Sequence, residues 1–516
     1  MDNKIALARN LTLNTLTSYV ETALGLLSGI MIARVLGPHD YGIYAFSVWL
    51  CGMVIYACNS SLTTSSVKFI AEARGTGSVE VASAVAHRFR RMQAVWSTLC
   101  IVAFGIGVAL VMPKEWRSYG WLLPVVAVVA IWSRAGFRML STIGEGFEKY
   151  EPENYTVIIA AVVNVTAIGL LALAGASFER YFILYAAMGL LMTALVRRYL
   201  KTHAVPLVRG AIPSDFRLRM RRHVLITGVF VTLGLLSGRF FEMTLLKMHW
   251  TVVEVGYFAI ASTLTRGAIE LLASGLTAVL MPAMARYFGK GGMSSLARVF
   301  DESMRVYWFI GLLLAGLALV VTDGMIHVLY GRQYVDAVPI ILVSLVVTGL
   351  TCFNGASAAA LTAADRQLDR VYIAIVSIAI NGVVAWLLVP RYGLAGAAVS
   401  LVVVRLFETA ASHICAARRL GTRLQRVTFL RLGAAGLVAG LVAVPAAVLP
   451  EWRFAFIPAA VLFVLLYLGS TVAFRAWRPD DIDFGVAMLR KVTPGWPRFH
   501  RRLSVFQDVY ERRCSC

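Results

Sequence analysis

Apolar stretches long enough to cross a bilayer recur along almost the whole chain, and no other feature limits its fold so strongly. They begin near Leu11, Tyr41, Met92, Gly120, Tyr155 and Tyr181, again near Val224, Gly256, Ser303, Ala337, Val371 and Gly393, and finally near Phe429 and Phe454. About 20 apolar residues make a helix that spans the hydrocarbon layer. Inside that layer only helices and closed barrels satisfy their own backbone amides. Fourteen runs of roughly 22 residues would occupy about 310 of the 516 residues, which leaves no room for a large soluble domain. Composition agrees: 59% of residues are hydrophobic and 15% charged, where a soluble protein carries about 25%. The expected fold is an all-α integral membrane protein of about 14 transmembrane helices.

Lys and Arg number 49 against 28 Asp and Glu, a formal net charge of +21. In a soluble chain that excess would point to nucleic acid, but here the positions of the charges supply a different reason. With the N-terminus placed in the cytoplasm, 36 basic residues fall in inside segments, 8 in outside loops and 5 within the spans. That asymmetry is the positive-inside pattern, so both termini are expected in the cytoplasm and no nucleic-acid partner is expected. Six runs precede the basic connection from Arg197 to His223, and a second set of six follows it ahead of the last two. Six is even, so any repeat is parallel. Asp40-Tyr-Gly-Ile-Tyr-Ala and Glu254-Val-Gly-Tyr-Phe-Ala, at the starts of runs two and eight, are its visible trace. The expected organisation is a six-helix lobe at 1–200, a basic cytoplasmic linker at 201–223, a second six-helix lobe at 224–418, helices 13 and 14 at 429–475, and a basic cytoplasmic tail at 476–516. Within that tail, Ile482 to Leu489 reads as a short amphipathic helix, and the terminal Cys-Ser-Cys resembles a lipidation site.

Several chemistries have no footing in the sequence. The seven cysteines form no C-x-x-C pair, and no zinc-type ligand spacing, P-loop or G-x-S-x-G elbow is present. The longest outside loop, around Thr322 to Asp336, is short for a site that holds acceptor sugars. No catalytic residue, metal or cofactor is therefore expected. Directionality would come from a proton or sodium gradient, from the membrane potential, or from downstream consumption of the product.

Nine ionisable residues lie well inside apolar runs: Arg134, Arg138, Arg239, Arg266, Arg405, Glu21, Glu242, Glu270 and Glu408. Facing lipid, they would cost about 20–30 kcal/mol together even on the lenient insertion scale, so they face protein or water. One reading is structural pairing, because Arg239 and Glu242, Arg266 and Glu270, and Arg405 and Glu408 are spaced three or four residues apart. The other is a wet lumen. Asn14, Ser18, Glu21, Gly25 and Ser28 form one polar or small stripe in run one, and Thr263, Arg266, Glu270, Ser274 and Thr277 form a second in run eight. Gly25-x-x-x-Gly29 alone would read as a helix-packing seam. The run from Asn59 to Ser66 adds hydroxyls near the inner end of run two. Arg134 and Arg138 sit one turn apart with no evident acid on their own helix. Arginine forks there suit the oxygens of a phosphate.

Three strings carry a resemblance. Arg34 to Phe46 reads RVLGPHDYGIYAF, Leu329 to Ile341 reads LYGRQYVDAVPII, and Val389 to Ser400 reads VPRYGLAGAAVS. In this order on fourteen runs they resemble the polysaccharide-transporter (O-antigen flippase-like) family of the multidrug/oligosaccharidyl-lipid/polysaccharide exporter superfamily. The resemblance implies two parallel six-helix lobes forming a V around a central cavity, with two extra C-terminal helices. It also implies a bacterial inner-membrane location and transfer of an undecaprenyl-pyrophosphate-linked oligosaccharide from the inner to the outer leaflet. Related peptidoglycan-precursor flippases carry an acid in the first outside turn and an arginine in span eight, and Asp40 and Arg266 occupy similar places. Those relatives also have arginines in their first two spans; here Arg34 lies at the outer end of span one.

The expected function is thus a lipid-linked oligosaccharide flippase working by alternating access. Arg266, Arg134, Arg138, Arg239, Arg405, Asn14, Ser18 and Asp40 would line the substrate cavity, and Glu21, Glu242, Glu270 and Glu408 would be the coupling acids. A polysaccharide polymerase and export machinery are the expected partners. A cation-coupled multidrug antiporter of the same superfamily is the nearest alternative, disfavoured by the excess of arginine over acid. A membrane glycan polymerase or ligase is the alternative from a different class.

Overall fold

The computed structural model describes residues 2–75, 78–202, 210–237, 239–422, 426–448 and 452–477. The tail helix and the Cys-Ser-Cys terminus lie outside these residues, as does part of the basic linker. For Asn14, Glu270 and Ser274 the backbone is described and the side chains are not. The described chain is helical, without a strand, and ten of its helices are long and apolar enough to cross a membrane.

Runs one and two share α1 (Asp2–Gly75), interrupted where Gly37 takes φ 75° ahead of Pro38. Only glycine takes that conformation without a Cβ penalty, and Pro38 has no N–H for a helical bond. Runs three to six are α2 (Val79–Leu110), α3 (Leu122–Gly146), α4 (Glu151–Leu173) and α5 (Phe178–Thr202). Run seven is split into α6 (Ser214–Ser237) and α7 (Phe240–His249), with Arg239 left-handed at the junction. Run eight begins as α8 (Val252–Thr265), passes through a π-helical turn at Arg266–Glu270, and enters α9 (Leu271–Leu329). α9 breaks at Gly291–Gly292 before run nine. Run ten is α10 (Val338–Leu350) with α11 (Asn354–Ala363), and runs eleven and twelve share α12 (Gln367–Leu420), broken at Gly393. α13 (Arg426–Val448) and α14 (Phe456–Ala473) complete the set.

Two compact units result. The first comprises Met1–Gly267, Leu329–Ile340 and Ala374–Leu401; the second comprises Ala268–Val328, Ile341–Ile373 and Val402–Cys516. In the first unit, Phe69, Ile70, Phe89, Ile143 and Val196 form one core. A second core forms around Cys51, Trp116, Ile131 and Phe182. Trp116, in the short 3₁₀ helix Lys114–Tyr119, is fully buried and donates its indole N–H to Ser47 Oγ at 3.0 Å. In the second unit, Ala435, Ala439 and Ala443 recur every four residues and are completely buried on one face of α13. Gly316 of α9 receives the Phe463 ring so closely that an added Cβ would lie 2.6 Å from its Cε2. Small residues replace the missing hydrophobic drive in lipid by permitting close backbone approach.

Candidate functional site

Among the described residues, Arg134, Arg138 and Glu21 form a cluster of intramembrane charge in the first unit. The Arg134 guanidinium sits 3.7 Å above the Tyr185 ring and donates Nη2–H to the Tyr185 carbonyl at 3.2 Å. Gly189 on α5 permits this approach, since a Cβ there would come within 2.9 Å of Arg134 Cγ. Arg134 Nε is buried and has no hydrogen-bond partner among the described residues. Tyr44 and Cys51 of α1 lie within its electrostatic reach. Arg138 differs. Its Nη1 donates to Glu153 Oε1 of α4 at 2.7 Å and lies 3.9 Å from Glu145. The expectation that Arg138 lacks an acid on its own helix is corrected: Glu145 is two turns further along α3, beyond the spacing at which a partner is sought, and Glu153 arrives from another helix. Glu21 interacts electrostatically with both arginines, so three residues singled out in runs one and four meet.

Among the described residues the Gly25–Gly29 part of the run-one stripe forms no packing seam. An added Cβ at Gly25 or Gly29 would meet no described atom within 4 Å, and Ser18 and Glu21 are exposed. Ser28, at its outer end, is buried and receives a hydrogen bond from Asn164 Nδ2 at 3.3 Å. In run eight, Thr263 and Arg266 are exposed, and Gly267 fits against α1, where a Cβ would lie 2.8 Å from Leu26 Cδ1. The i+4 geometry behind an Arg266–Glu270 pair belongs to an α-helix, and this segment is a π turn, a form frequent at functional sites. The hydroxyls from Asn59 to Ser66 are mostly buried in helix packing rather than lining a lumen: Ser65 Oγ meets His223 Nδ1 at 3.1 Å, and Ser66 Oγ donates to Thr142 Oγ1 at 3.3 Å.

Glu242 is buried just after the Arg239 break. Its Oε1 accepts from Ser400 Oγ at 3.0 Å; that hydroxyl also lies 2.8 Å from Asn381 Oδ1, and Arg239 adds its charge. Ser400 and Asn381 were not expected, because neither is charged and they reach Glu242 only through folding. In the second unit, Glu408 Oε1 accepts from Asn354 Nδ2 at 3.4 Å, and Thr277 Oγ1 meets Tyr307 OH at 3.0 Å. Arg405 is half-buried. Arg305 of α9 is 2% exposed. Among the described residues no three His, Cys, Asp or Glu side chains gather to hold a metal.

At the end of the first unit that the charge pattern assigns to the outside, the three resemblance strings converge. Tyr334 OH donates to Ala33 O at 2.7 Å and Gln333 Nε2 to Arg34 O at 3.1 Å. Tyr334 also packs against Tyr41, Tyr257 and Tyr330. Trp250 Nε1 donates to Val389 O at 2.8 Å, and its ring fills the space beside Gly393. The equivalent glycines of the two repeat traces touch: a Cβ on Gly256 would lie 3.1 Å from Gly42 Cα, and one on Gly42 would lie 2.6 Å from the Val252 carbonyl carbon. Asp40 stays at the rim, 2.9 Å from His39 Nδ1. Lys247 of α7 and Glu115 of the 3₁₀ helix form an ion pair nearby.

Comparison with known proteins gives a consistent picture. The family described as "Polysaccharide biosynthesis protein" matches residues 7–288. Among solved structures, "Lipid II flippase MurJ, inward closed conformation" is similar at TM-score 0.68 and 13% identity, over 89% of this chain and 98% of that one. An inward-facing multidrug resistance MATE family transporter of the MOP superfamily aligns at TM-score 0.64 and 15% identity, over 78% of this chain and 94% of that one. An outward-facing MATE family transporter aligns at 0.53 and 16%, over 81% and 95%. At these identities the structures show a shared transporter fold. No curated protein matches the chain in sequence.

Proposed function

The chain belongs to the polysaccharide biosynthesis protein family, and from that premise we propose that it is a flippase. Its substrate is an undecaprenyl-pyrophosphate-linked oligosaccharide, moved from the inner to the outer leaflet of a bacterial inner membrane by alternating access, with both termini cytoplasmic. A pyrophosphate does not enter hydrocarbon unaided, whereas its prenyl chain stays there; a cationic, hydroxylated path lets the two parts travel separately. The observation that carries this reading is Arg134, held over the Tyr185 ring with a buried Nε that no described group satisfies. Its fork is preorganised for a phosphate oxygen. Arg138, Arg239, Arg266 and Arg405 extend the cationic path, and Asn14 and Ser18 serve the sugars. Asp40 lies at the outer gate, whose closure rests on the Gly42–Gly256 contact. Glu21, Glu242, Glu270 and Glu408 are the acids through which an ion gradient would act. A polymerase and export machinery would take the product onward.

The test is the amount of lipid-linked oligosaccharide trapped on the cytoplasmic face of cells carrying Arg134→Ala, measured against protein abundance. Normal export at normal abundance would remove Arg134 from the substrate path. A second reading, cation-coupled drug export, is favoured by buried Glu242; ethidium efflux that is lost in Glu242→Gln, with oligosaccharide transfer absent in the unmodified protein, would establish it instead.

A further inference from the structure

A groove of about 580 Å³ lies between the second half of α1 and the middle stretches of α2 and α6, apart from the Arg134 cluster. That volume is within the ~300–1,000 Å³ of ordinary small-molecule sites. Its charged end is Arg88 and Arg91; its walls include Trp96, Leu99 and Leu225, above Ser61. No acidic side chain lines it, and among the described residues neither arginine is in an ion pair.

The spacing of the polar and apolar parts matches one leaflet of a bilayer. Arg88, Arg91, Val95 and Leu99 recur every three or four residues and so share one face of α2. Eleven helical steps from Arg88 to Leu99 rise about 16 Å, and half of the ~30 Å hydrocarbon core is about 15 Å. The arginines therefore stand at headgroup level when the apolar wall lies along the acyl chains. The wall is fixed in advance: Trp96 Nε1 donates to Ala57 O at 2.9 Å, and Val95, Leu99 and Leu225 are all more than half exposed.

We propose that this groove binds an anionic phospholipid of the leaflet at the positively charged ends of α2 and α6, with its phosphate on Arg88 and Arg91 and one acyl chain along Trp96 and Leu99. Basic pockets between transmembrane helices on the cytoplasmic side recognise acidic headgroups in this way. The transported glycolipid fits poorly here, because among the described residues Ser61 is the one polar side chain of the lining, beyond the arginines, that is free to meet sugar hydroxyls. A soluble phosphate would leave the apolar wall unused.

The full chain, purified in mild detergent, would be titrated with phosphatidylglycerol and, in parallel, phosphatidylcholine, and retained lipid counted by native mass spectrometry. Phosphatidylglycerol should be retained preferentially. At the usual contribution of one basic residue near an anionic lipid, Arg88→Ala or Arg91→Ala should weaken retention about fivefold and the double variant about thirtyfold. Arg88→Lys/Arg91→Lys should keep most of it, and that variant with the two single ones decides the matter if the double alanine variant elutes as aggregate. Equal retention of the two phospholipids overturns the proposal, as does unchanged retention in the alanine variants. Retention of polyprenyl pyrophosphate alone would assign the groove to the transport substrate and overturn it too. None of these outcomes depends on whether transfer itself is observed, so the flippase reading stands or falls separately.

Discussion

Gly42→Ala adds one methyl group at the place where α1 and α8 are closest. The new Cβ would overlap the Val252 carbonyl oxygen and lie 2.6 Å from its carbon, where ordinary contact begins at 3.4 Å. The obstacle is backbone, so no side-chain rotation relieves it, and α1 and α8 must part. Overpacking of this kind costs about 1–3 kcal/mol, and the gain in helix propensity from glycine to alanine returns up to about 1 kcal/mol. With the full propensity gain subtracted, the net loss is up to about 2 kcal/mol; if the chain alternates as proposed, it falls on the sealed arrangement and shifts its population up to about 30-fold. Gly52→Ala on the same helix is the control, because an added Cβ there meets nothing within 4 Å. Thermal unfolding of the purified variants would show a lower midpoint for Gly42→Ala and an unchanged or higher one for Gly52→Ala. In a background without other reactive thiols, Ala33→Cys, a position fully buried in the seal, should react with a membrane-impermeant maleimide faster when Gly42→Ala is present. If the two glycine variants match in midpoint and in labelling rate, the close contact carries no closure energy.

The Lys247–Glu115 ion pair gives a pH dependence outside the spans. Burial alone would raise the Glu115 carboxyl, but the Lys247 hydrogen bond and charge outweigh it and hold the group below its ordinary range. A depressed carboxyl stabilises the fold above its unfolded pKa and loses that stabilisation as pH falls through the folded value. Glu115→Gln should therefore cost about 1–3 kcal/mol at neutral pH and nothing at strongly acidic pH, as read by thermal midpoints across pH. Arg134→Lys should keep protein abundance and lose most transfer, because an ammonium lacks the fork and stacks less well on Tyr185; equal transfer would reject bidentate recognition. Arg138→Ala should lower abundance by leaving Glu153 without its partner, and Glu153→Gln in the same chain should restore it. A reporter active only outside the cytoplasm should be active after Gly331 and silent after Lys149, and the reverse would invert the assumed orientation.

The sequence by itself determined that the chain is helical and multi-spanning, and which residues carry charge into the membrane. Those properties depend on run length, local composition and the absolute need to satisfy backbone amides in hydrocarbon, none of which requires knowing what packs on what. It also showed the Gly42 and Gly256 motifs as equivalents, but not that they meet, since contact between residues so far apart in the chain is decided by how helices stack. Only the tertiary structure distinguished Arg134 from Arg138. Arg134 and Arg138 look alike in sequence, one turn apart on one helix; folding places Tyr185 under the first and Glu153 beside the second. Gly25-x-x-x-Gly29 and Gly42 look alike as helix-packing signals, yet no described atom comes near the first pair and a backbone carbonyl crowds the other. A side chain's chemistry is written in its residue type, whereas its free energy in a membrane depends on which neighbours replace water around it, and those neighbours come from distant segments.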